Sequence, residues 1–365
     1  MRINIFIIIP SLEGGGSERV ISNVVKYLDQ EKFNITLVLG CKKGKYLEEI
    51  PKSVNIIDFK KARVRYAIFP IINFIRGHKP DIVLSTLGHL NLLIAFFRPI
   101  LPKRTKFIAR ESNTISIRNK DERYPKLFDF LFKTVYKNFD LVICQAKSMK
   151  KDLIINYNFP EQKLKIINNP VDFDKIEYLS TKDIEVVSLP KDKYNLLVIG
   201  RLTHQKRMDH AIKVMSCMPD NFHLTIAGEG ELKEYLEELV VNLNLKDKVT
   251  FKGFVKNPYV LLKEANLVLS TSRYEGFPNV VLEANACGKP VLAYNYVGGI
   301  DEIIENDVNG ELIEDGNLKL LSEALFKIFQ SNNYNGEIIR NLTKQKFNVK
   351  HIVAKYESEF FNILK

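Results

Sequence analysis

The feature that most constrains the fold is a repeated alternation of short apolar runs with segments of helical periodicity. Continuous apolar runs are typical of parallel strands that are buried on both faces of a sheet. In the first half they lie at residues 3–9, 35–39, 55–58, 82–85, 106–109, 141–144 and 165–167, with a helix expected at 17–28. After an aperiodic stretch at 179–193, expected strands follow at 194–199, 223–227, 249–251, 267–270 and 290–293, and expected helices at 209–215, 231–243 and 278–286.

Two such series predict an α/β protein with two Rossmann-like, doubly wound domains. A length of 365 residues agrees with two domains. We expect an N-terminal domain over 1–180, closed by a helix at about 348–365, and a C-terminal domain over 190–347. Because ligands bind beyond the carboxyl ends of parallel strands, two facing domains predict a binding cleft.

The positive charge is concentrated in the first domain. The chain has a net charge of +11, and residues 1–180 alone carry 31 Lys or Arg and 18 Asp or Glu, a net charge of +13. This asymmetry indicates an anionic partner, whether a membrane surface, a phosphate-bearing substrate or nucleic acid. A solvated basic face without a partner is the alternative.

The cysteines and the hydropathy pattern indicate a compartment. Four cysteines, at 41, 144, 217 and 287, have no paired spacing, which argues against a zinc site or a disulfide framework and favours a reducing environment. The chain opens as a strand without a recognisable signal peptide, and no apolar run reaches the roughly 18 residues of a spanning helix. We therefore expect a cytoplasmic protein, peripheral to a membrane if it contacts one.

Three glycines follow the first strand, at residues 14–16. Gly15 and Gly16 allow close approach of a ligand, and the helix behind them directs its N-terminal N–H groups at an anion. The alternative is a flexible tight turn. The pattern is not a G-x-G-x-x-G fingerprint, so a nicotinamide oxidoreductase is disfavoured.

The second domain opens with a strand that ends in GRLTHQKR, residues 200–207. Arg201 and Lys206 supply the cations that a diphosphate leaving group needs as negative charge grows on it. An ordinary basic surface loop is the alternative.

Two further turns follow strands of this domain. Glu229, in AGEG, lies in a tight turn that could touch a nucleotide, or that is simply a turn. Phe254 and Val255, in GFV, could hold a base, whereas a core phenylalanine is the competing interpretation.

The most specific segment is EGFPNVVLEANACGKPV, residues 275–291. Glu275 is expected in a loop, within reach of sugar hydroxyls, and Glu283 eight positions later on the inner face of a helix, where it could grip two ribose hydroxyls. The helix start between them would meet a diphosphate. An unrelated helix with one exposed and one paired glutamate is the alternative.

Together with GRLTHQK, GGGSER and IINNPVD at 166–172, this segment resembles the family 4 retaining glycosyltransferases of the GT-B fold, most closely the bacterial subgroup that builds capsule, O-antigen and lipid-linked glycans. The resemblance spans nearly the whole chain. It implies no cofactor and no metal ion, and a nucleotide sugar, most simply a UDP-sugar, as donor substrate. The implied donor contacts are Gly15 and Gly16 near a phosphate, Arg201 and Lys206 on the diphosphate, Glu275 on the sugar, Glu283 on the ribose, and backbone groups of Gly276, Phe277, Asn279 and Val280.

Many members of the family carry a histidine after the fourth strand, and His89 is the candidate here. Asn91 and the string RESN at 110–113 resemble the GGGxER subgroup better. We expect Arg110 and Glu111 to line the cleft, with a structural ion pair as the alternative. The resemblance thus makes Glu275, Arg201, Lys206, His89 and Glu111 the candidate catalytic residues.

Basic residues next to apolar segments indicate a membrane surface. KKARVRY at 60–66 precedes the apolar stretch 67–75, and Arg98 with KRTK at 103–106 flanks 99–102. This composition suits an interfacial helix on anionic lipid; a core helix with a solvated basic end is the alternative.

The sequence therefore predicts a retaining, metal-independent glycosyltransferase that moves a sugar from a nucleotide donor to a saccharide acceptor. We expect this acceptor to be lipid-linked and the enzyme to act at an anionic inner-leaflet surface. A sugar-nucleotide epimerase or hydrolase of similar fold is the nearest rival. A nucleic-acid-binding protein would leave the motifs of the second domain unexplained, and we expect no nucleic-acid partner.

Overall fold

The computed structural model describes residues 2–182, 188–331 and 333–365. Two compact units form, one from the residues up to Pro170 together with Val349–Lys365, the other from Val171–Asn348. Residues 183–187 of the aperiodic stretch lie outside the described residues.

Thirteen strands occur in the described part of the chain: β1 Ile3–Ile9, β2 Phe33–Leu39, β3 Asn55–Asp58, β4 Ile82–Thr86, β5 Lys106–Arg110, β6 Leu141–Cys144, β7 Leu164–Ile166, β8 Tyr194–Ile199, β9 Phe222–Ala227, β10 Val249–Gly253, β11 Leu267–Ser270, β12 Val291–Tyr294 and β13 Gly310–Ile313.

The α-helices of the same residues are α1 Gly16–Tyr27, α2 Val64–His78, α3 Gly88–Phe97, α4 Ile115–Arg118, α5 Pro125–Thr134, α6 Lys147–Tyr157, α7 Phe173–Ser180, α8 Met208–Val214, α9 Lys233–Asn242, α10 Tyr259–Glu264, α11 Asn279–Ala286, α12 Leu318–Ser331, α13 Gly336–Phe347 and α14 Val349–Leu364.

Each unit is built on one parallel sheet. The first sheet has the order β3-β2-β1-β4-β5-β6-β7 and the second the order β10-β9-β8-β11-β12-β13. The central strands are buried on both faces; the successive residues Ile7, Ile8 and Ile9 of β1, whose side chains alternate between the faces, are all fully buried. The predicted pair of doubly wound α/β units is therefore present.

The C-terminal helix α14 completes the first unit. Its apolar side chains Ile352, Tyr356 and Phe360 join the core cluster formed by α1, β1 and β2. Phe33 of β2 packs edge-on against Phe360, with ring centroids 5.8 Å apart. Burial of such a stripe is what fixes an amphipathic helix to a sheet.

The boundary between the units differs from the expected position at residue 180. Helix α7 belongs to the second unit, where the Asn257 side chain donates a hydrogen bond of 2.8 Å to the carbonyl of Leu179. Glu177 also accepts a hydrogen bond of 2.6 Å from Arg340 on α13. These contacts hold residues 171–180 to the second unit. The expected assignment of these residues to the first domain was therefore wrong.

The sequence also missed one strand. The edge strand β13 pairs with β12 but contains only Gly310–Ile313, too short and too polar for a clear pattern. A Cβ atom at Gly310 would lie 2.1 Å from the carbonyl oxygen of Val291. The glycine is thus required by the close approach of the two strands.

Candidate functional site

The strand order reverses direction once in each sheet, between β1 and β4 and between β8 and β11. At such a switch point the loops after the two neighbouring strands diverge and leave a crevice for a ligand. The glycine-rich turn follows β1, GRLTHQK follows β8, and the loop at residues 271–278 follows β11. These three motifs therefore coincide with the switch points of their units.

In the second unit, hydrogen bonds join the loops after β8 and β11. The backbone N–H of Arg273 donates to the carbonyl of Gln205 over 2.8 Å, and the Gln205 side chain donates to the carbonyl of Tyr274 over 2.9 Å. The Thr271 hydroxyl donates to the carbonyl of Lys206 over 3.1 Å. The two loops thus form one connected support.

This support brings Lys206 and Glu275 into direct contact. The Lys206 ammonium donates to Glu275 Oε1, and the Ser272 hydroxyl donates to the same oxygen over 2.8 Å. Their side chains are 22% and 13% exposed, so both remain accessible from one side. Two residues predicted to contact different parts of a donor are therefore neighbours, and each neutralises the other.

The carboxylate of Glu275 also acts on a buried tyrosine. Tyr296 is 3% exposed, and its hydroxyl lies 3.1 Å from the Ser270 hydroxyl. Burial and, next, the negative charge of Glu275 raise the pKa of Tyr296 well above its usual value. Tyr296, which no sequence motif singled out, therefore stays protonated at neutral pH.

Arg201, the first cation after β8, is exposed. Within the described residues its side chain has no ion-pair partner. An exposed guanidinium at a switch point is free to offer its planar fork to phosphate oxygens.

The two glycines of the AGEG turn, Gly228 and Gly230, have a structural role. A Cβ atom at Gly228 would lie 1.8 Å from the carbonyl oxygen of Gly200, and one at Gly230 would lie 2.4 Å from that of Leu202. The glycines thus let the turns after β8 and β9 touch. The Glu229 side chain is exposed, and its backbone carbonyl accepts a hydrogen bond of 2.9 Å from the Leu202 N–H.

The turn after β10 exposes an aromatic ring. Phe254 is 61% exposed, so it is not a core residue. Gly253 before it has φ +63°, a left-handed conformation that favours glycine. Val255 is half-buried. An exposed ring beside the strand ends is available to stack on a flat ligand.

The start of α11 is fixed by the loop after β12. The Glu275 N–H donates to the carbonyl of Val297 over 3.1 Å, and the Gly299 N–H donates to that of Gly276 over 3.0 Å. The helix begins after Pro278 without a side-chain cap, and Asn279 and Val280 at its first turn are half-buried. Its N-terminal end can therefore meet an anion.

Phe277 faces the core instead of the site. Its side chain is 4% exposed, and its ring lies 5.7 Å from that of Phe347. Any donor contact at this position is limited to the backbone, as the family resemblance implies.

Glu283 is buried on α11, with 6% exposure. The hydroxyl of Tyr259 donates to its Oε1 over 3.3 Å. The helix thus turns Glu283 inward as predicted. Tyr259, the first residue of α10, is a partner that sequence spacing did not reveal.

In the first unit, the glycine turn carries a carboxylate of its own. Gly15 caps α1 without a side-chain hydrogen bond, and a Cβ atom at Gly15 would lie 2.2 Å from Glu18 Oε2. The Glu18 carboxylate therefore lies next to the helix start at which the sequence predicted a phosphate. Gly16 is exposed beside it.

Arg110 does not reach a surface. It is fully buried, and its guanidinium donates to Tyr356 Oη over 3.1 Å and to Asn169 Oδ1 over 2.7 Å. It joins the end of β5 to α14 and to the chain before Pro170. The expectation that it lines a cleft is corrected by this burial.

Glu111 is likewise buried, with 1% exposure. Its Oε1 accepts a hydrogen bond of 2.7 Å from the Asn91 amide and one from the Tyr136 hydroxyl, and its Oε2 lies 4.0 Å from Arg118. Burial, and then the charge of Glu111, raise the pKa of Tyr136 well above its usual value. Glu111 is thus part of an internal network, which argues against a catalytic role; it forms no ion pair with Arg110 either.

His89 lies on the surface at the start of α3, with 57% of its side chain exposed. Its Nε2 lies 2.9 Å from Glu122, and its ring packs edge-on against Phe128 at 5.3 Å. Leu87, which precedes the helix, adopts φ +76°, a strained value for a side chain of this size.

The described ranges contain neither a candidate metal-binding cluster nor a candidate membrane-spanning helix. No group of three His, Cys, Asp or Glu side chains is placed so that it could hold a metal ion. No helix among these residues is both long and apolar enough to span a membrane.

Two family models match successive parts of the chain. "Glycosyltransferase Family 4" matches residues 14–175 and "Glycosyl transferases group 1" matches residues 180–345. Together they include most residues of both units and every motif described above.

Curated relatives extend over most of the chain. It is 28% identical over 333 residues to the N-acetylgalactosamine-N,N'-diacetylbacillosaminyl-diphospho-undecaprenol 4-alpha-N-acetylgalactosaminyltransferase of Campylobacter jejuni, covering 87% of this chain and 88% of the relative. It is 25% identical to a second C. jejuni enzyme, a GalNAc-alpha-(1->4)-GalNAc-alpha-(1->3)-diNAcBac-PP-undecaprenol alpha-1,4-N-acetyl-D-galactosaminyltransferase, over 97% of both chains.

Solved structures share the fold over the full length. HepE of Anabaena, crystallised with UDP and glucose, superposes with a TM-score of 0.82 at 18% identity, over 99% of this chain and 100% of that chain. Sucrose-phosphate synthase of Thermosynechococcus elongatus superposes with a TM-score of 0.84 at 16% identity, over 99% of both chains. The predicted GT-B fold is confirmed.

Proposed function

This chain belongs to the family 4 glycosyltransferases, and from that premise we propose that it transfers a sugar from a UDP-sugar to a lipid-linked saccharide, with retention of anomeric configuration. The observation that carries the proposal is the contact between Lys206 and Glu275 at the switch point of the second unit. One residue matches a diphosphate in charge and the other matches sugar hydroxyls as a hydrogen-bond acceptor.

Lys206 and Arg201 are the proposed diphosphate ligands. Negative charge grows on the leaving phosphate as the bond to the sugar breaks, so a cation held in place beforehand stabilises the transition state more than the ground state. The start of α11, with Asn279 and Val280, adds backbone N–H groups on the same side of the unit.

The proposed chemistry requires no nucleophile from the protein. The bond between the anomeric carbon and the β-phosphate oxygen breaks, and its electron pair stays on the phosphate. The acceptor hydroxyl attacks the same face, its oxygen bonds to the anomeric carbon, and its proton passes to the departing phosphate oxygen. The sugar therefore keeps its configuration.

UDP as the nucleotide is supported by the HepE structure, which was solved with UDP and glucose. In this chain, Phe254 is exposed where it could stack on a uracil ring. Glu283 is the proposed ribose ligand, and a shift of the Tyr259 hydroxyl from its carboxylate would make room for the two ribose hydroxyls. Metal independence belongs to the same proposal, because Lys206 supplies charge where a divalent ion would.

A lipid-linked acceptor is supported by both C. jejuni relatives, whose names contain undecaprenol. The first unit also exposes large apolar side chains on α2 and α3: Tyr66 is 57%, Phe69 63% and Phe96 55% exposed. Arg63 and Arg65 border the first two. Apolar side chains ringed by cations favour an anionic bilayer surface, here the cytoplasmic leaflet.

The apolar surface extends beyond the segments that the sequence indicated. Helix α5 and the residue before it expose Tyr124, Leu127 and Phe130, which share one face because they are three positions apart. In the first sheet, the connections that follow β3, β4 and β5 all run in the direction of β7. With right-handed crossovers, the helices in these three connections pack on the same face of the sheet. The proposed membrane surface therefore consists of α2, the end of α3 and α5.

The proposal is tested by thermal unfolding in the presence of a panel of nucleotide sugars, followed by incubation of each stabilising donor with and without an undecaprenol-linked saccharide. We expect UDP-sugars to raise the unfolding temperature and product to form only with acceptor. Turnover of the donor alone would instead indicate an epimerase or a hydrolase. Stabilisation by no nucleotide sugar would contradict the proposal.

A further inference from the structure

The residue directly after Lys206 has an unusual backbone conformation. Arg207 has φ +49° and ψ +43°, in the left-handed region that residues with a side chain seldom adopt. It lies between the loop that carries Lys206 and the first residue of α8. The chain must turn sharply here, and it does so without the glycine that such a turn favours.

The Arg207 side chain is held by contacts with residues outside its own loop. Its guanidinium donates to Asp315 Oδ1 over 2.8 Å, and only 11% of the side chain is exposed. It also lies over the ring of Tyr294, 5.5 Å from the centroid. Tyr294 is fully buried in β12, so this contact attaches the guanidinium to the rigid sheet.

The loop that contains Asp315 is shaped to receive this guanidinium. Gly316 has φ +78°, and a Cβ atom there would lie 3.1 Å from Arg207 Nη1. A side chain at residue 316 would therefore crowd the ion pair. Contacts on two sides of residue 207 thus compensate for an unfavourable backbone conformation.

We propose that Arg207 is a positioning residue, which holds the left-handed turn that directs Lys206 toward Glu275. The guanidinium itself faces Asp315 and Tyr294, so it acts through the backbone and does not bind the donor. This inference rests on the proposed function of Lys206 as a diphosphate ligand, and it adds a residue to which no donor contact has been assigned.

Substitutions separate the backbone conformation from the side chain. Arg207→Ala loses the anchor and retains the unfavourable left-handed geometry, so we expect the UDP dissociation constant, measured by calorimetry, to rise about tenfold. Arg207→Gly also loses the anchor but adopts this geometry freely, and should bind UDP within about threefold of the wild type. Asp315→Asn, which weakens one of the two anchors, should lie between them.

A second measurement tests whether the effect passes through Lys206. In a Lys206→Met background, adding Arg207→Ala should change UDP affinity by less than about twofold, because the residue it positions is gone. Lys213→Ala on α8 is the matched control, since it removes a nearby cation that pairs with Asp209. Circular dichroism and thermal unfolding establish that each variant is folded.

Equal losses in Arg207→Gly and Arg207→Ala would overturn the inference, because the guanidinium would then be needed for itself. Unchanged affinity in Arg207→Ala would overturn it as well. Failure of the wild-type protein to bind UDP would instead contradict the proposed function, so the two failures are distinguishable.

Discussion

Charged residues at the carboxyl ends of the strands differ between the units: those after β8 and β11 are accessible, whereas the pair at the end of β5 is buried. In the second unit, Lys206 and Glu275 pair at the surface and Arg201 is exposed. In the first, Arg110 and Glu111 follow β5 and are buried in separate hydrogen-bond networks. The same topology therefore leaves charges available to the proposed donor in the second unit and uses charges for internal cohesion at the end of β5 in the first.

The first unit offers chemistry of another kind, on its helices. The exposed apolar side chains of α2, the end of α3 and α5 accompany an excess of positive charge in residues 1–180. Exposed apolar patches on a soluble surface mark interaction sites. The proposed donor site thus lies at the strand ends of the second unit, and the proposed membrane surface on the helical face of the first.

The largest effect should come from Lys206. Lys206→Met removes the cation that meets the growing charge on the leaving phosphate, so transfer should fall by a factor of about 10³. Glu275→Gln should also abolish most transfer, while both variants keep the wild-type unfolding temperature within a few degrees. Rates are measured with a radiolabelled donor, and Lys213→Ala serves as control. Near-normal turnover in either variant would remove the donor site from these loops.

Glu111 should affect stability instead of donor binding. Glu111→Ala leaves Asn91, Tyr136 and Arg118 without their common partner in a buried site, so the free energy of unfolding should fall by about 3 kcal/mol in urea titrations. UDP affinity of the folded fraction should stay within about twofold of the wild type. Full stability combined with lost transfer would show that Glu111 is catalytic after all, and the contrast between the units would fail.

Charge reversal on α2 should weaken membrane binding. Arg63→Glu together with Arg65→Glu should lower the partition constant onto vesicles rich in anionic lipid by at least about tenfold, because each basic residue near such a surface contributes about 1 kcal/mol. Lys233→Glu with Lys319→Glu, two exposed lysines of the second unit, is the matched control. Equal loss in both double variants would mean that net charge, and not this surface, directs binding.

The smallest effect should come from Phe254. Phe254→Ala removes the exposed ring proposed to stack on uracil, and should raise the UDP dissociation constant about fivefold while the stability is unchanged. Tyr235→Ala, another exposed ring of the second unit at 48% exposure, should have no effect on UDP binding. An unchanged affinity in Phe254→Ala would place the base elsewhere.

The sequence revealed most of the fold because parallel strands buried on both faces read as continuous apolar runs. It missed the short edge strand β13, which has no continuous apolar run. It also misplaced α7, because the attachment of this helix to the second unit depends on hydrogen bonds from Asn257 and Arg340. Spacing cannot report contacts between residues so far apart in the chain.

The same limit applies to the site. Motif spacing placed Glu275 before a helix and Glu283 within it, and the structure agrees. The pairing of Lys206 with Glu275 depends on two loops 69 residues apart, and no local pattern encodes it. The charged residues at the end of β5 suggested a cleft, because a sequence does not disclose burial. In the structure, Arg110 is buried and donates hydrogen bonds to Tyr356 and Asn169.

The most direct test of the central claim is a crystal structure of the protein with UDP. We predict pyrophosphate density beside Lys206 Nζ and the first turn of α11, with the ammonium moved from Glu275 to a phosphate oxygen. Pyrophosphate bound away from both, with the contact between Lys206 and Glu275 unbroken, would contradict the claim.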